Sequence, residues 1–227
     1  MATTLKDTIV QITPPILLRA AMAIRGHAAQ PVYDTKPKGE KDPEWYDRSF
    51  EDNEHWKWHY TRSGYYFLWT VIADRLLRCG ARSVMDVGCG SGQLAALLKD
   101  KGIESYCGID FSEKRIGQAR LVCPGFKFVQ ADAFATELFE RGDYDTVLST
   151  EFLEHVDRDL DIIRKIRPGA RFIGTVPNFP FESHVRHFLN AAEVTARYGS
   201  FFTDFQVDSF LANENAKTFF VLQGIKS

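Results

Sequence analysis

Between Val84 and Leu98 a short apolar run enters three alternating glycines and then a helix-forming stretch. The order is Val84-Met85-Asp86-Val87-Gly88-Cys89-Gly90-Ser91-Gly92, followed by Gln93-Leu94-Ala95-Ala96-Leu97-Leu98. Few architectures accommodate a buried strand that turns through glycines into a helix. Glycines at alternate positions let the backbone turn sharply and let a ligand approach the main chain. The helix start behind them offers unpaired N–H groups and positive potential to an anionic group.

The rest of the chain after Gly80 repeats that unit. Strands are expected at Ser83–Val87, Ser105–Ile109, Lys127–Gln130, Tyr144–Ser149 and Arg171–Val176. Amphipathic helices are expected at Gln93–Lys101, Glu113–Val122, Phe134–Glu140 and Phe152–Ile166, the last stopped by Pro168-Gly169. This alternation predicts an α/β fold, with βαβ units on a parallel, doubly wound sheet covered on both faces. Phe201–Leu211 and Thr218–Ile225 have no helix between them, so they read as a hairpin on the sheet edge with an antiparallel final strand. Asp110 closes the second strand, where a carboxylate can accept from both ribose hydroxyls of an adenosine ligand. A dinucleotide fingerprint would be G-x-G-x-x-G; Gln93 stands where its third glycine would fall, which disfavours pyrophosphate recognition.

The 227 residues are 44% hydrophobic and 26% charged, a composition of globular rather than disordered or polytopic membrane chains. Twenty-eight Lys and Arg against thirty Asp and Glu give a net charge of −2, with no footprint for tight nucleic-acid binding. Cys79, Cys89, Cys107 and Cys123 form no C-x-x-C pair, as expected of reduced thiols in a cytoplasmic protein. No signal-peptide core follows Lys6 and Asp7. Residues 15–25 predict a short helix after Pro14-Pro15, too short to span a bilayer but able to pack on the domain or lie on a membrane surface. Residues 1–60 are expected to form an extension and lid, and 61–227 the main domain; self-association is left open. The aromatic stretch Trp45–Trp69 supplies the lid, with Tyr46, Trp58, His59, Tyr60 and Arg62 as candidate substrate contacts.

The segment Asp86–Gly92, with Asp110 beyond it, resembles the first motifs of class I S-adenosylmethionine-dependent methyltransferases over about Tyr60–Ser227. The resemblance implies a Rossmann-like sheet of seven strands with the last antiparallel. It implies that Gly88, Cys89, Gly90 and Gly92 border the cofactor and that Asp110 holds its ribose, with Phe111 and Thr150 nearby. It further implies that Asp132 and Ala133 sit at the adenine and that Asp86 helps orient the methionine amino end. A plainer role for Asp132 is to cap a turn.

In Ser149-Thr150-Glu151-Phe152-Leu153-Glu154-His155 a helix from Phe152 would place Glu151, Glu154 and His155 on one face, able to ligate Mg²⁺, Mn²⁺ or a similar divalent cation. This Glu-x-x-Glu-His resembles two methyltransferase groups, those of ubiquinone biosynthesis and the terminal 2′-O-methyltransferases of small RNAs. The resemblance implies a further ligand at His184, with His187 second. Without a metal, the two glutamates would complement the helix dipole and His155 would serve as general base beside Glu154. The expected activity is O-methylation of a small hydroxylated metabolite such as a sugar, sugar nucleotide or phenol. The alternatives are an RNA 2′-O-methyltransferase and a nucleotide-binding module or NAD oxidoreductase on the same fold.

Overall fold

The computed structural model describes residues 39–212 and 217–227. The helix expected within residues 15–25 lies outside the described residues. None of the described helices is long and apolar enough to cross a membrane.

Seven strands form one sheet: β1 (Ser83–Val87), β2 (Ser105–Asp110), β3 (Lys127–Gln130), β4 (Thr146–Ser149), β5 (Arg171–Pro177), β6 (Phe202–Leu211) and β7 (Thr218–Lys226). Their order is β3-β2-β1-β4-β5-β7-β6. The first five are parallel, with Val84 opposite Tyr106 and Thr146, whereas β7 runs antiparallel to both β5 and β6. The C-terminal hairpin thus lies at the expected edge, its second strand inserted inside its first. Every residue of β4, and all but the first of β1 and β5, is buried, because helices cover both faces of a parallel sheet.

The helices are α1 (Pro43–Asp52), α2 (Tyr66–Arg78), α3 (Gln93–Asp100), α4 (Glu113–Val122), α5 (Leu138–Arg141), α6 (Asp159–Lys165) and α7 (Ala191–Tyr198). Ile162, Ile163, Val194 and Tyr198 from α6 and α7 pack with Met85, Val87, Val147 and Phe172 of the sheet. Gly92 caps α3 at φ 81°, and a Cβ there would stand 2.8 Å from the Ala119 Cα on α4. Only glycine lets the two helices approach so closely behind the loop.

Two expected helices are shorter. Phe134–Glu140 contracts to α5, because Asp132 organises a turn first: its Oδ1 accepts from Phe134 N at 2.8 Å and its carbonyl from Thr136 N at 3.0 Å. Phe152–Ile166 contracts to α6, preceded by a single 3₁₀ turn at Leu153–His155. The carbonyls that would continue a helix from Phe152 are captured from elsewhere. The Arg186 guanidinium donates to the carbonyls of Leu153, Val156 and Asp157, and Val185 N donates to Glu154 O at 2.8 Å. Asp159, fully buried at the start of α6, anchors that arginine at 3.4 Å. It also accepts from Arg197 Nε and Nη2 at 2.7 and 2.6 Å and from the Tyr198 hydroxyl at 2.7 Å.

Candidate active site

The carboxyl ends of β1, β4 and β5 open onto a cleft of about 800 Å³. Its floor is the glycine loop. Gly88 and Cys89 donate to Ile109 O at 2.8 and 3.1 Å, and Gly90 N donates to Asp110 Oδ2 at 3.0 Å. Asp110 Oδ1 accepts from Ser112 N at 2.9 Å. A Cβ at Gly90 would meet nothing within 4 Å, so the loop presents bare backbone to open cleft. That cradle, with a carboxylate held beside it, fits the sugar end of an adenosyl cofactor.

Asp86 stays out of the cleft at 1% exposure. Tyr106 donates to its Oδ2 at 2.6 Å, its Oδ1 has no partner, and burial pushes its pKa up to about 7. The native state therefore holds a proton that the unfolded chain releases near pH 4, so Asp86 lowers stability as pH rises from about 4 to 7. Asp86→Asn keeps an acceptor for Tyr106 and abolishes this cost. We expect the variant to match the wild type near pH 4 and to exceed it at pH 8 by on the order of 4 kcal/mol in urea unfolding. An equal difference at both pH values would contradict the shift.

The chemical half of the cleft lies beyond β4 and β5. Glu151 is strained at φ 51°; its N–H donates to Thr175 Oγ1, which donates back to Glu151 Oε1, both at 2.9 Å. Glu154 is fully buried, and neither of its oxygens meets a donor. Burial and the neighbouring Glu151 carboxyl push its pKa well up, while burial carries Glu151 to about 8. His155 Nδ1–H donates to Ser183 O at 2.9 Å, leaving the Nε2 lone pair 3.8 Å from Glu154 Oε1. His184 Nδ1–H likewise donates to Phe179 O at 3.0 Å. The carbonyl partners fix both tautomers. Burial first, then the facing His184, lowers His155 to about 3; burial lowers His184 to about 4. Both imidazoles are therefore neutral at pH 7. Ligating atoms of Glu154, His155 and His184 lie within 4.8 Å of one another. Two Nε2 lone pairs backed by carbonyls, with the buried Glu154 carboxyl beside them, form a donor set that suits a divalent cation once Glu154 gives up its proton.

Of the four expected ligands, Glu154, His155 and His184 come together, through a 3₁₀ turn and a loop rather than on one helical face. Glu151 stands beside Glu154, held by Thr175, and lies outside that trio. His187 is half-buried and outside the cleft; the loop turns His184 inward instead. Thr150, Cys89 and Gly88 line the cleft, whereas Ala133 is buried and Asp132 is exposed in its turn.

The segment from α1 to Arg62 covers the glycine loop. Ser91 Oγ donates to Trp56 O at 2.6 Å, and Gln93 Nε2 donates to His55 O and Trp58 O at 3.2 and 2.6 Å. Tyr46 enters the cleft, its ring 5.2 Å from that of Phe111 and 6.1 Å from that of His155. Trp58, His59, Tyr60 and Arg62 do not line the cleft. Two 3₁₀ turns, Glu54–Lys57 and Tyr60–Arg62, face them outward: Tyr60 donates to Asp100 at 2.6 Å, His59 caps Thr61, and Arg62 stacks on Trp58 at 4.6 Å. Trp56, Tyr65, Gln93 and Arg115 also line the cleft, and sequence reasoning misses them. Arg115 does carry a signal, since a cation in the first turn of a helix opposes the dipole.

Residues 85–172 match the family model described as a methyltransferase domain. The ubiquinone biosynthesis O-methyltransferase of Dechloromonas aromatica (strain RCB) is 34% identical over 47% of this chain and 50% of its own length. The chain spans about half the length of the curated relatives it matches. Among solved structures, the methyltransferase domain of bacterial CtHen1 superposes with a TM-score of 0.52 at 21% identity, covering 70% of this chain and 97% of that one. The N-methyltransferase NodS from Bradyrhizobium japonicum WM9, in complex with S-adenosyl-L-homocysteine, gives 0.54 at 13%, covering 69% and 86%. Glycine loop and sheet order agree with that match: residues 85–172 are similar to a methyltransferase domain, on the fold that these methyltransferase structures share.

Proposed function

We propose that this chain transfers a methyl group from S-adenosylmethionine to a hydroxyl of a small molecule, with a divalent cation at Glu154, His155 and His184. The observation that carries this reading is the pair of neutral imidazoles, both lining the cleft, beside the buried Glu154 carboxyl. The sulfonium cofactor supplies an activated methyl with its own leaving group, so the protein's task is alignment and proton removal. Glu154, His155 and His184 would hold the cation, which lowers the pKa of a bound hydroxyl. Asp110 and the Gly88–Gly90 backbone hold the adenosyl part, and the Nε2 lone pairs of His155 and His184, neutral at pH 7, are free to ligate the cation rather than to take the proton. A small acceptor agrees with the net charge of −2 and with a cleft that the α1 segment roofs over.

The test incubates the purified protein, methyl-labelled cofactor and a fractionated metabolite pool. We expect label in an alkali-stable ether of a small molecule, suppressed by EDTA and restored by Mg²⁺ or Mn²⁺. His155→Ala is expected to retain S-adenosylhomocysteine binding and lose at least about a hundredfold in transfer. Transfer indifferent to both EDTA and His155→Ala would remove the cation and its ligand set together; label in RNA would overturn the small-molecule acceptor.

A further inference from the structure

Arg115 stands in the first turn of α4 with 9% of its surface exposed, and it lines the cleft. Its Nε is buried without a hydrogen-bond partner, and it takes part in no ion pair among the described residues. Two acids, Asp110 and Asp47, attract it electrostatically but are engaged elsewhere. Asp110 accepts from Gly90 N and Ser112 N; Asp47 accepts from the Ser112 hydroxyl at 2.5 Å and from Lys114 N at 3.3 Å. What holds the guanidinium is aromatic: Tyr46 and Trp56 of the covering segment each lie 4.8 Å from its carbon by ring centroid. Cation–π contacts recover only part of the cost of burying an unpaired charge. The arginine is also misplaced for its helix, since the dipole there favours an anion. A buried, rigidly stacked fork of donors facing a cleft is built for bidentate capture of a carboxylate or phosphate.

We propose that Arg115 is the anion receptor of this cleft, pairing with a carboxylate or phosphate carried by a molecule bound there. The anion has two sources, the amino-acid end of the cofactor or an acidic group on the acceptor. The proposal rests on the reading above in that the cleft is taken to admit an adenosyl cofactor.

The test compares the wild type with Arg115→Met and Arg115→Lys by titration calorimetry. S-Adenosylhomocysteine carries the carboxylate, 5′-methylthioadenosine lacks it, and inorganic pyrophosphate probes for an acceptor anion with and without the nucleoside. If the cofactor supplies the anion, Arg115→Met weakens S-adenosylhomocysteine at least tenfold and leaves 5′-methylthioadenosine unchanged. If the acceptor supplies it, both nucleosides bind as before and pyrophosphate binding to the wild type is lost in the variant. Arg115→Lys keeps the charge but not the fork and is expected to fall between. Because the arginine is unpaired in the empty cleft, Arg115→Met should melt at or above the wild-type temperature, which a merely structural arginine would not allow. Equal weakening of both nucleosides, a lowered melting temperature, or no change in any arm would each overturn the proposal. Failure of the wild type itself to bind S-adenosylhomocysteine would count against the cofactor reading instead, and the pyrophosphate arm would still judge Arg115.

Discussion

Asp159→Ala is expected to lower the unfolding free energy by about 3–5 kcal/mol, the cost of removing one member of a buried charged network. Asp159 is 0% exposed and neutralises Arg197 through two hydrogen bonds, accepts from the Tyr198 hydroxyl and steadies Arg186. Without it, Arg197 and Arg186 lose the carboxylate they share, and Arg186 loses its anchor while still holding the carbonyls of Leu153, Val156 and Asp157. The loss should therefore reach the turn that carries Glu154 and His155. For a domain of this size it corresponds to a fall of roughly 10 °C in Tm. Removing both charges, in Asp159→Leu with Arg197→Met, should cost less than Asp159→Ala alone, because fewer charges remain uncompensated. Urea unfolding of the three proteins checks the order; a loss below about 1 kcal/mol in Asp159→Ala would show that the network is not a structural anchor.

Asp110→Ala is expected to weaken S-adenosylhomocysteine binding by two to three orders of magnitude. A carboxylate that accepts from both ribose hydroxyls contributes two charge-assisted hydrogen bonds, each about 1.5–3 kcal/mol. Asp110 is preorganised for this by Gly90 N and Ser112 N, so the loop and the carboxylate act as one unit. Asp110→Asn separates the two roles, since its amide oxygen still accepts from one of those N–H groups. We expect Asn to restore most of the thermal stability lost in Ala but little of the affinity. Calorimetric titration of all three proteins decides it, and affinity in Asp110→Ala within threefold of the wild type would remove Asp110 from the cofactor site.

The parts of this molecule set by short-range patterning are legible in the amino-acid sequence alone. The five parallel strands, α3 and α4 come from apolar runs and glycine punctuation, and their ends differ from expectation by a residue or two. Gly88–Gly92 and Asp110 fall at the expected strand ends because strand, turn and helix follow one another directly in the chain. The helix expected from Phe152 does not form, for a reason no local window contains: Arg186, some thirty residues on, takes the carbonyls that a helix would use. His155 and His184 are legible as residue types at the ends of β4 and β5, but their mutual orientation depends on the carbonyls of Ser183 and Phe179. Trp58, His59, Tyr60 and Arg62 have suitable chemistry, yet in an aromatic-rich stretch neither period nor spacing reveals which ring turns inward. Tyr46 and the unanticipated Trp56 do so, drawn in by Arg115 and by the bonds from Ser91 and Gln93 to the covering backbone.

Whether this cleft receives an adenosyl group with a methionine tail or a dinucleotide is decided most directly by isothermal titration. The full chain is titrated with S-adenosylhomocysteine and, separately, with NAD⁺. We predict saturable one-to-one binding of S-adenosylhomocysteine and none of NAD⁺ at the same concentrations. Binding of NAD⁺ with no heat from S-adenosylhomocysteine would contradict the adenosyl-methionine site.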